Sequence, residues 1–477
     1  MRVSRYFRLG RTQPTLDFVD VDITGDLQVF VDPRALRLLH SEWADECVAL
    51  VQNFFQAVLR YIHRGSNNKA RSLLRTLREP NETHLGLSRG RARGRALGAE
   101  SASDVWEALS RSEAVRSGLL EDLEDTILMV EGISSDIISD ITTNIIRGPL
   151  IGYTNQMAQL YGIPLQLSVS SGPLWDPAER EWHSTFVQLP VTTSGKLMLV
   201  PKAIVRLKMD YDVNEYYRHY LLEELREIEL SANSELVQLL KNGKTRVTKK
   251  DLEAKYGRNK AMIVRETQRN PEVLRRYRRD KARGYNPPLD HSDLAATEGS
   301  PQPDWDALLQ DLRAIEVGRD DATAYEHAIE ALLSALFYPS LANPQLQRSI
   351  HEGRKRIDIT YTNLATAGFF QWLGQHYSAP HIFIECKNYT GDPANPELDQ
   401  LSGRFSPSRG QVGILVCRQI NDKVLFMQRC RDTADDQRGF VIPLDDTDLE
   451  ILVRERQREY GQPMFRLLRE KFEELVL

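Results

Sequence analysis

Two segments carry charge where a buried strand ordinarily would not. Arg356-Ile-Asp358-Ile-Thr-Tyr alternates apolar and polar residues around one aspartate, and Ile382-Phe-Ile-Glu385-Cys-Lys387 is an apolar run that breaks into Glu-x-Lys. Successive side chains of a strand point to opposite faces, so Glu385 and Lys387 project together while Ile384 and Cys386 face the core. Buried charge without a partner is costly, so these residues form either a reactive site or a buried ion pair. Carboxylates brought together repel and raise one another's pKa unless a cation is shared. With only oxygen ligands at hand, the cation is a hard one, Mg²⁺ or Mn²⁺ rather than zinc. Such an ion polarises a phosphodiester and helps deprotonate water, and Lys387 can orient that water and stabilise the charge that develops. Arg354, Lys355 and Arg356 lie beside Asp358, where they suit contact with backbone phosphates, and Arg404 is assigned to the same nucleic-acid contact.

The elements that position these residues follow a recognisable order. After a Pro/Gly-rich stretch at 284–304 that reads as a linker, a helix is predicted over 322–337, then strands at 346–350, around Asp358 and around Glu385. A helix over 396–405, an apolar strand over 412–417, a helical stretch near 421–434 and a last strand at 440–443 complete the series.

That α-β-β-β-α-β order, together with Asp…Glu-x-Lys, resembles the PD-(D/E)XK nuclease superfamily, whose fold is restriction-endonuclease-like. The resemblance covers residues 320–450, under a third of the chain. It implies that Asp358 is the aspartate of the second core strand, with Ile357 in place of the usual preceding proline. It makes Glu385 and Lys387 the (D/E)-x-K pair, Glu326 the first-helix glutamate that serves as an extra metal ligand, and Gln400 the polar residue that supports the lysine. The span between the two motif strands is long, 27 residues, and holds an apolar helical turn, Phe369-Phe-Gln-Trp-Leu. The implied cofactor is Mg²⁺ (or Mn²⁺), the implied partner is nucleic acid, DNA before RNA, and the default assembly is a homodimer that cuts two strands. Cys386 faces away from the site and reads as a core residue.

The remaining chain gives context. At 477 residues it exceeds what one core serves. The divisions expected are a mainly helical domain at 1–163 with a leading hairpin, a mixed α/β region at 164–285 ending in basic helices, the linker at 286–304, the nuclease-like α/β domain at 305–453 and a C-terminal helix at 454–477. The N-terminal region as a whole reads as mainly α-helical with a small β portion, α+β in class. Strands are predicted at 18–23 and 27–32, the latter ending in Asp32-Pro33 as a helix start. From there helical spacing continues to Arg64, and further helices are predicted over 102–131, 136–161 and 214–230, with short strands between Pro164 and Pro201. The aspartates at 17, 20, 22, 26 and 32 read as solvent-facing hairpin residues and a cap rather than a metal cluster.

Charge is patchy behind a net value of −5. Residues 60–98 hold ten Lys/Arg against two acids, residues 99–145 two against eleven, and residues 241–285 sixteen against five. Two basic blocks in an acidic chain point to a locally bound polyanion. The Gly/Arg-rich stretch 86–98 suits phosphate contact or an ordinary surface loop equally. Residues 247–263 have a capped helix, a turn at Gly257 and a second helix, but Glu253 stands where a helix-turn-helix wants a small residue, so a solvated basic helical pair is the better reading. Four scattered cysteines without a C-x-x-C pair argue against a structural zinc site or disulfide framework and suggest a reducing compartment. With no apolar run near 18 residues, the expectation is a cytoplasmic protein without a membrane partner. The functional expectation is a metal-dependent endonuclease with an N-terminal recognition or regulatory region, which by analogy suits restriction or anti-phage defence. A protein partner or trigger is expected to act through residues 1–285; in the alternative, a degenerate nuclease fold serves as a non-catalytic nucleic-acid-binding or assembly module.

Overall fold

The computed structural model describes all residues except 40, 87–98, 285–286, 351–354, 390 and 460–462, and omits the side chains of 99–104, 349–350 and 355. Most of the Gly/Arg-rich stretch and Arg354 therefore lie outside the described residues. The architecture is mixed α+β, with a helical N-terminal region and a five-stranded C-terminal sheet.

The leading segments do not pair into a hairpin. Phe30–Val31 instead pairs antiparallel with Val205–Arg206, Phe18 bridges Pro201, and Arg2 bridges Asp22. A hairpin on the surface keeps one face wet, but Val29, Phe30 and Val31 are all buried, so this segment must be covered on both faces. Asp32 does cap a helix, accepting from the Arg34 N–H at 2.9 Å, but Pro33–Leu38 stops after six residues and Glu42–His63 restarts under a Ser41 cap. The nearby aspartates are structural, and most are buried rather than solvent-facing. Asp20 accepts from the Ser4 hydroxyl at 2.6 Å, and Asp17 accepts from the Tyr153 hydroxyl at 2.7 Å.

Helices Ser135–Ile145 and Arg147–Tyr161 form the buried helical centre, followed by short antiparallel pairs such as Gln166–Ser170 with Phe186–Leu189. The basic block folds as Lys249–Tyr256, Lys260–Arg269 and Pro271–Arg283. Much of its charge is matched within the chain. Arg265 and Arg269 meet Glu266, Arg278 meets Asp125 and Glu121, and Lys281 meets Glu215.

The stretch expected as a linker contains a helix, His291–Glu298, closed by an Asp290/Asp293 capping box. Leu289, His291 and Leu294 are buried, His291 hydrogen-bonds the Ala335 carbonyl at 2.8 Å, and Tyr338 donates to the Leu289 carbonyl at 2.8 Å. Leu289 and Leu294 thus pack into the core of the N-terminal region while the two hydrogen bonds reach the C-terminal region, so the stretch is held between them rather than left a spacer.

The C-terminal sheet runs in chain order: β1 (Leu341–Ile350), β2 (Lys355–Asn363), β3 (His381–Lys387), β4 (Val412–Cys417) and β5 (Phe440–Asp445). β2 runs antiparallel to both of its neighbours, β1 and β3, and β4 and β5 run parallel to β3. Around it pack α1 (Ala322–Phe337), α2 (Gly368–His376), α3 (Asn395–Ser402), α4 (Lys423–Asp435), α5 (Asp446–Arg458) and α6 (Arg466–Val476). Every residue of β4 is buried, as expected of a central parallel strand covered on both faces. The long span between β2 and β3 is α2, whose Phe369 and Phe370 pack on Phe472 and Phe465 of the C-terminal segment.

Candidate functional site

The antiparallel register pairs Ile359 of β2 with Ile384 of β3, which sets Asp358 beside Glu385. The Cys386 N–H donates to Asp358 Oδ2 at 2.9 Å, fixing that carboxylate against the neighbouring strand. Glu385 is fully buried. Its Oε1 accepts from Lys387 Nζ at 2.8 Å and from Gln400 Nε2 at 2.6 Å, and its Oε2 accepts from the Arg404 guanidinium. Lys387 Nζ also donates to Gln400 Oε1 at 3.1 Å, so α3 closes a small ring of bonds over the end of β3. From the other side α1 brings Glu326, whose Oε2 accepts from Gln347 Nε2 of β1 at 2.7 Å. The same nitrogen lies 3.5 Å from Asp358 Oδ1.

Burial, and then the Asp358 charge, push the Glu326 carboxyl up to about 7, with the Gln347 bond acting against them. Glu385 is likewise raised, by burial first and Asp358 second, against the pull of Lys387 and Arg404. Among the described residues no group of three or more His, Cys, Asp or Glu side chains forms a preassembled metal cluster. The donor chemistry nevertheless suits a hard divalent cation. The ligands are carboxylate oxygens, two of them disfavour ionisation, and the positive end of the Gln347 amide stands between Glu326 and Asp358.

Beside Glu326 opens a cleft of about 710 Å³. One wall is β1 with Gln347 and Arg348, Arg356 of β2 also faces it, and the opposite wall is the Arg147–Tyr161 helix through Gln156 and Gln159. The site thus opens towards the N-terminal region and offers two arginines on the way in.

The structure therefore brings together Glu326, Asp358, Glu385, Lys387 and Gln400, and turns Arg356 to the adjoining cleft. Arg404 is placed otherwise than expected. Its side chain is 7% exposed and spent on Glu385, because α3 ends over the sheet and draws it inwards. Lys355 opens β2, its side chain not being described. Cys386 is buried and its thiol raised well above the ordinary value by burial, as fits a core residue. Sequence reasoning missed Gln347 and Arg348. The pairing of Gln345 with Gln347 at strand spacing was a signal, but Gln347 has φ of 49°, a left-handed backbone that alternation does not reveal.

A family model described as a domain of unknown function (DUF8370) matches residues 8–212, under half of the chain and N-terminal to every residue of the carboxylate site. No curated protein and no solved structure matches the chain.

Proposed function

We propose that the protein is a metal-dependent endonuclease of the PD-(D/E)XK type, acting on DNA before RNA, in which the N-terminal region governs what is cut and when. The observation that carries this reading is the convergence of Asp358, Glu385, Lys387 and Glu326 at one end of β2, β3 and α1, with Gln400 bridging Glu385 and Lys387. The element order of the C-terminal region supports it, since apart from the inserted α2 it runs α-β-β-β-α-β, the order on which the resemblance rests. Asp358, Glu385 and Glu326 would hold Mg²⁺ or Mn²⁺, which when bound supplies charge neutralisation at the phosphodiester and a lowered water pKa. Lys387, oriented by Gln400, holds the attacking water and stabilises charge on the phosphoryl oxygens. Arg348 and Arg356 position the backbone. A homodimer would place two such sites on two strands. Incubating supercoiled plasmid with the protein and Mg²⁺ or Mn²⁺, beside Asp358→Ala and Lys387→Ala, tests the reading. Equal nicking by all three proteins, or none under either ion, refutes it.

One observation favours the second reading, a non-catalytic nucleic-acid-binding module. Both Glu385 oxygens already meet cationic side chains, Lys387 and Arg404, as in a structural ion-pair network. A salt-sensitive gel shift unchanged by Asp358→Ala, without cleavage, would select it.

A further inference from the structure

A second, smaller space lies where the N-terminal region meets the sheet. Its volume is about 200 Å³, and Gln156, Gln345 and Arg348 line both it and the cleft beside Glu326, so the two spaces adjoin. Trp43 and Tyr153 supply aromatic walls, and Leu364 supplies an aliphatic one. Its polar lining is rich in acceptors. Asn343 Oδ1 and His381 Nδ1 are enclosed without a hydrogen-bond partner, and Glu42, itself exposed, also lines the space. Burial and the neighbouring Arg348 lower the His381 pKa, and the ring's hydrogen bond to the Tyr361 backbone acts the other way. Glu42 opposes that fall as well, and the balance favours the neutral ring with a nitrogen left over. Enclosed polar atoms without partners are costly unless a ligand or water meets them. The backbone that presents Asn343 is itself strained, with φ of 54° at the irregular register between Ala342 and Gln345. Such strain is held where the surrounding structure fixes it, here by the Asp17 carboxylate on the Asn343 N–H at 2.8 Å.

We propose that this pocket is a nucleobase subsite that selects a base carrying an exocyclic amino group. Aromatic walls suit a planar ring. Acceptors at Asn343, His381 and Glu42 suit amino hydrogens, and Arg348, which lines pocket and cleft alike, stands with Arg356 where the phosphate of a bound nucleotide would lie. The inference rests on the nuclease reading for its source, a base swung out of the strand being cut. A free nucleotide offers the same chemistry.

The test is calorimetric titration of the full chain, without metal, with AMP, CMP, GMP and UMP, and separately with single-stranded dC12 and dT12. At least one amino-bearing nucleotide should bind roughly tenfold or more tighter than UMP, the loss expected from one unmet hydrogen bond. Asn343→Gly tolerates the positive φ while removing the acceptor, and should erase that preference. Trp43→Leu should weaken all nucleotides and gives an independent answer if the glycine variant unfolds. A preference seen with dC12 over dT12 and absent from mononucleotides assigns the subsite to a strand, and one seen with mononucleotides alone assigns it to a free nucleotide. Equal binding of UMP and the amino-bearing bases, unchanged by both variants, overturns the proposal. Metal-dependent plasmid cleavage is scored separately: cleavage without base preference sinks the pocket alone, and base preference without cleavage sinks the nuclease reading alone.

Discussion

The Asp17 carboxylate accepts both the Tyr153 hydroxyl at 2.7 Å and the Asn343 backbone N–H at 2.8 Å, joining the N-terminal helices to the first strand of the C-terminal sheet. Asp17 is buried, as is Lys202, whose ammonium lies 4.0 Å from the centre of the Tyr338 ring and is pushed down to about 8 by burial, with Asp17 the leading influence against that fall. Asp17→Ala removes two hydrogen bonds and strips a buried ammonium of its main carboxylate. We expect a loss of about 2–4 kcal/mol, read from urea denaturation at pH 7. Asp17→Asn keeps an acceptor for Asn343 and should lose less. If the alanine variant is as stable as wild type, the joint does not hold the two regions.

Glu326 sets a pH dependence with a definite sign. Its carboxyl sits at about 7 in the folded chain against 4.5 ordinarily, so the folded state holds the proton more tightly. The stability this gives is fully present below pH 4.5 and is lost as the pH rises through 7. Glu326→Gln should therefore be more stable than wild type at pH 8, by about 1 kcal/mol once solvent screening is allowed for, and equal to it near pH 4. Mn²⁺ should raise the melting temperature of the wild type at pH 8, and Asp358→Asn should abolish that rise. Thermal unfolding at the two pH values, with and without the ion, checks both statements.

What the sequence disclosed depended on how local the signal was. The C-terminal elements were legible because each carries its own pattern: the apolar run at β4 and the helical spacing of α1 need no distant partner to be read. The shared face of Glu385 and Lys387 followed from strand alternation, whereas setting Asp358 beside them rested on the family resemblance. The leading hairpin failed because Phe30 and Val31 find their partners at Val205 and Arg206, a long-range pairing that local alternation cannot distinguish from a hairpin. The linker reading failed because proline and glycine dominated over Leu289 and Leu294, which fasten that stretch. Gln347 and Asn343 escaped because both have a positive φ, Asn343 at a register irregularity of β1, which alternation does not reveal.

Catalysis should divide among the site residues by role. Lys387→Ala removes the group proposed to hold the water and is expected to lower metal-dependent cleavage about 10²–10⁴-fold. Gln400→Ala leaves Lys387 in place but releases its orientation, so a smaller loss of roughly tenfold is expected. Single-turnover cleavage of a labelled duplex at saturating enzyme separates these losses from weaker binding. A Gln400→Ala loss as large as that of Lys387→Ala would show the glutamine in direct contact with the reacting groups.

The two arginines at opposite ends of the site should behave as different kinds of residue. Arg404 is buried on Glu385, so Arg404→Ala leaves a buried carboxylate short of its cation and should cost about 3–5 kcal/mol of stability. Arg356 is exposed on the cleft, so Arg356→Ala should leave stability within about 0.5 kcal/mol. What Arg356→Ala should change is the salt dependence of duplex binding, reducing the slope of log K against log salt by about 1, the amount for one phosphate contact. Chemical denaturation and salt-titrated fluorescence anisotropy, run on both variants, separate the roles. An Arg404→Ala protein of unchanged stability but reduced salt slope would mean that its guanidinium leaves Glu385 for the nucleic acid, and that the buried pair opens when substrate binds.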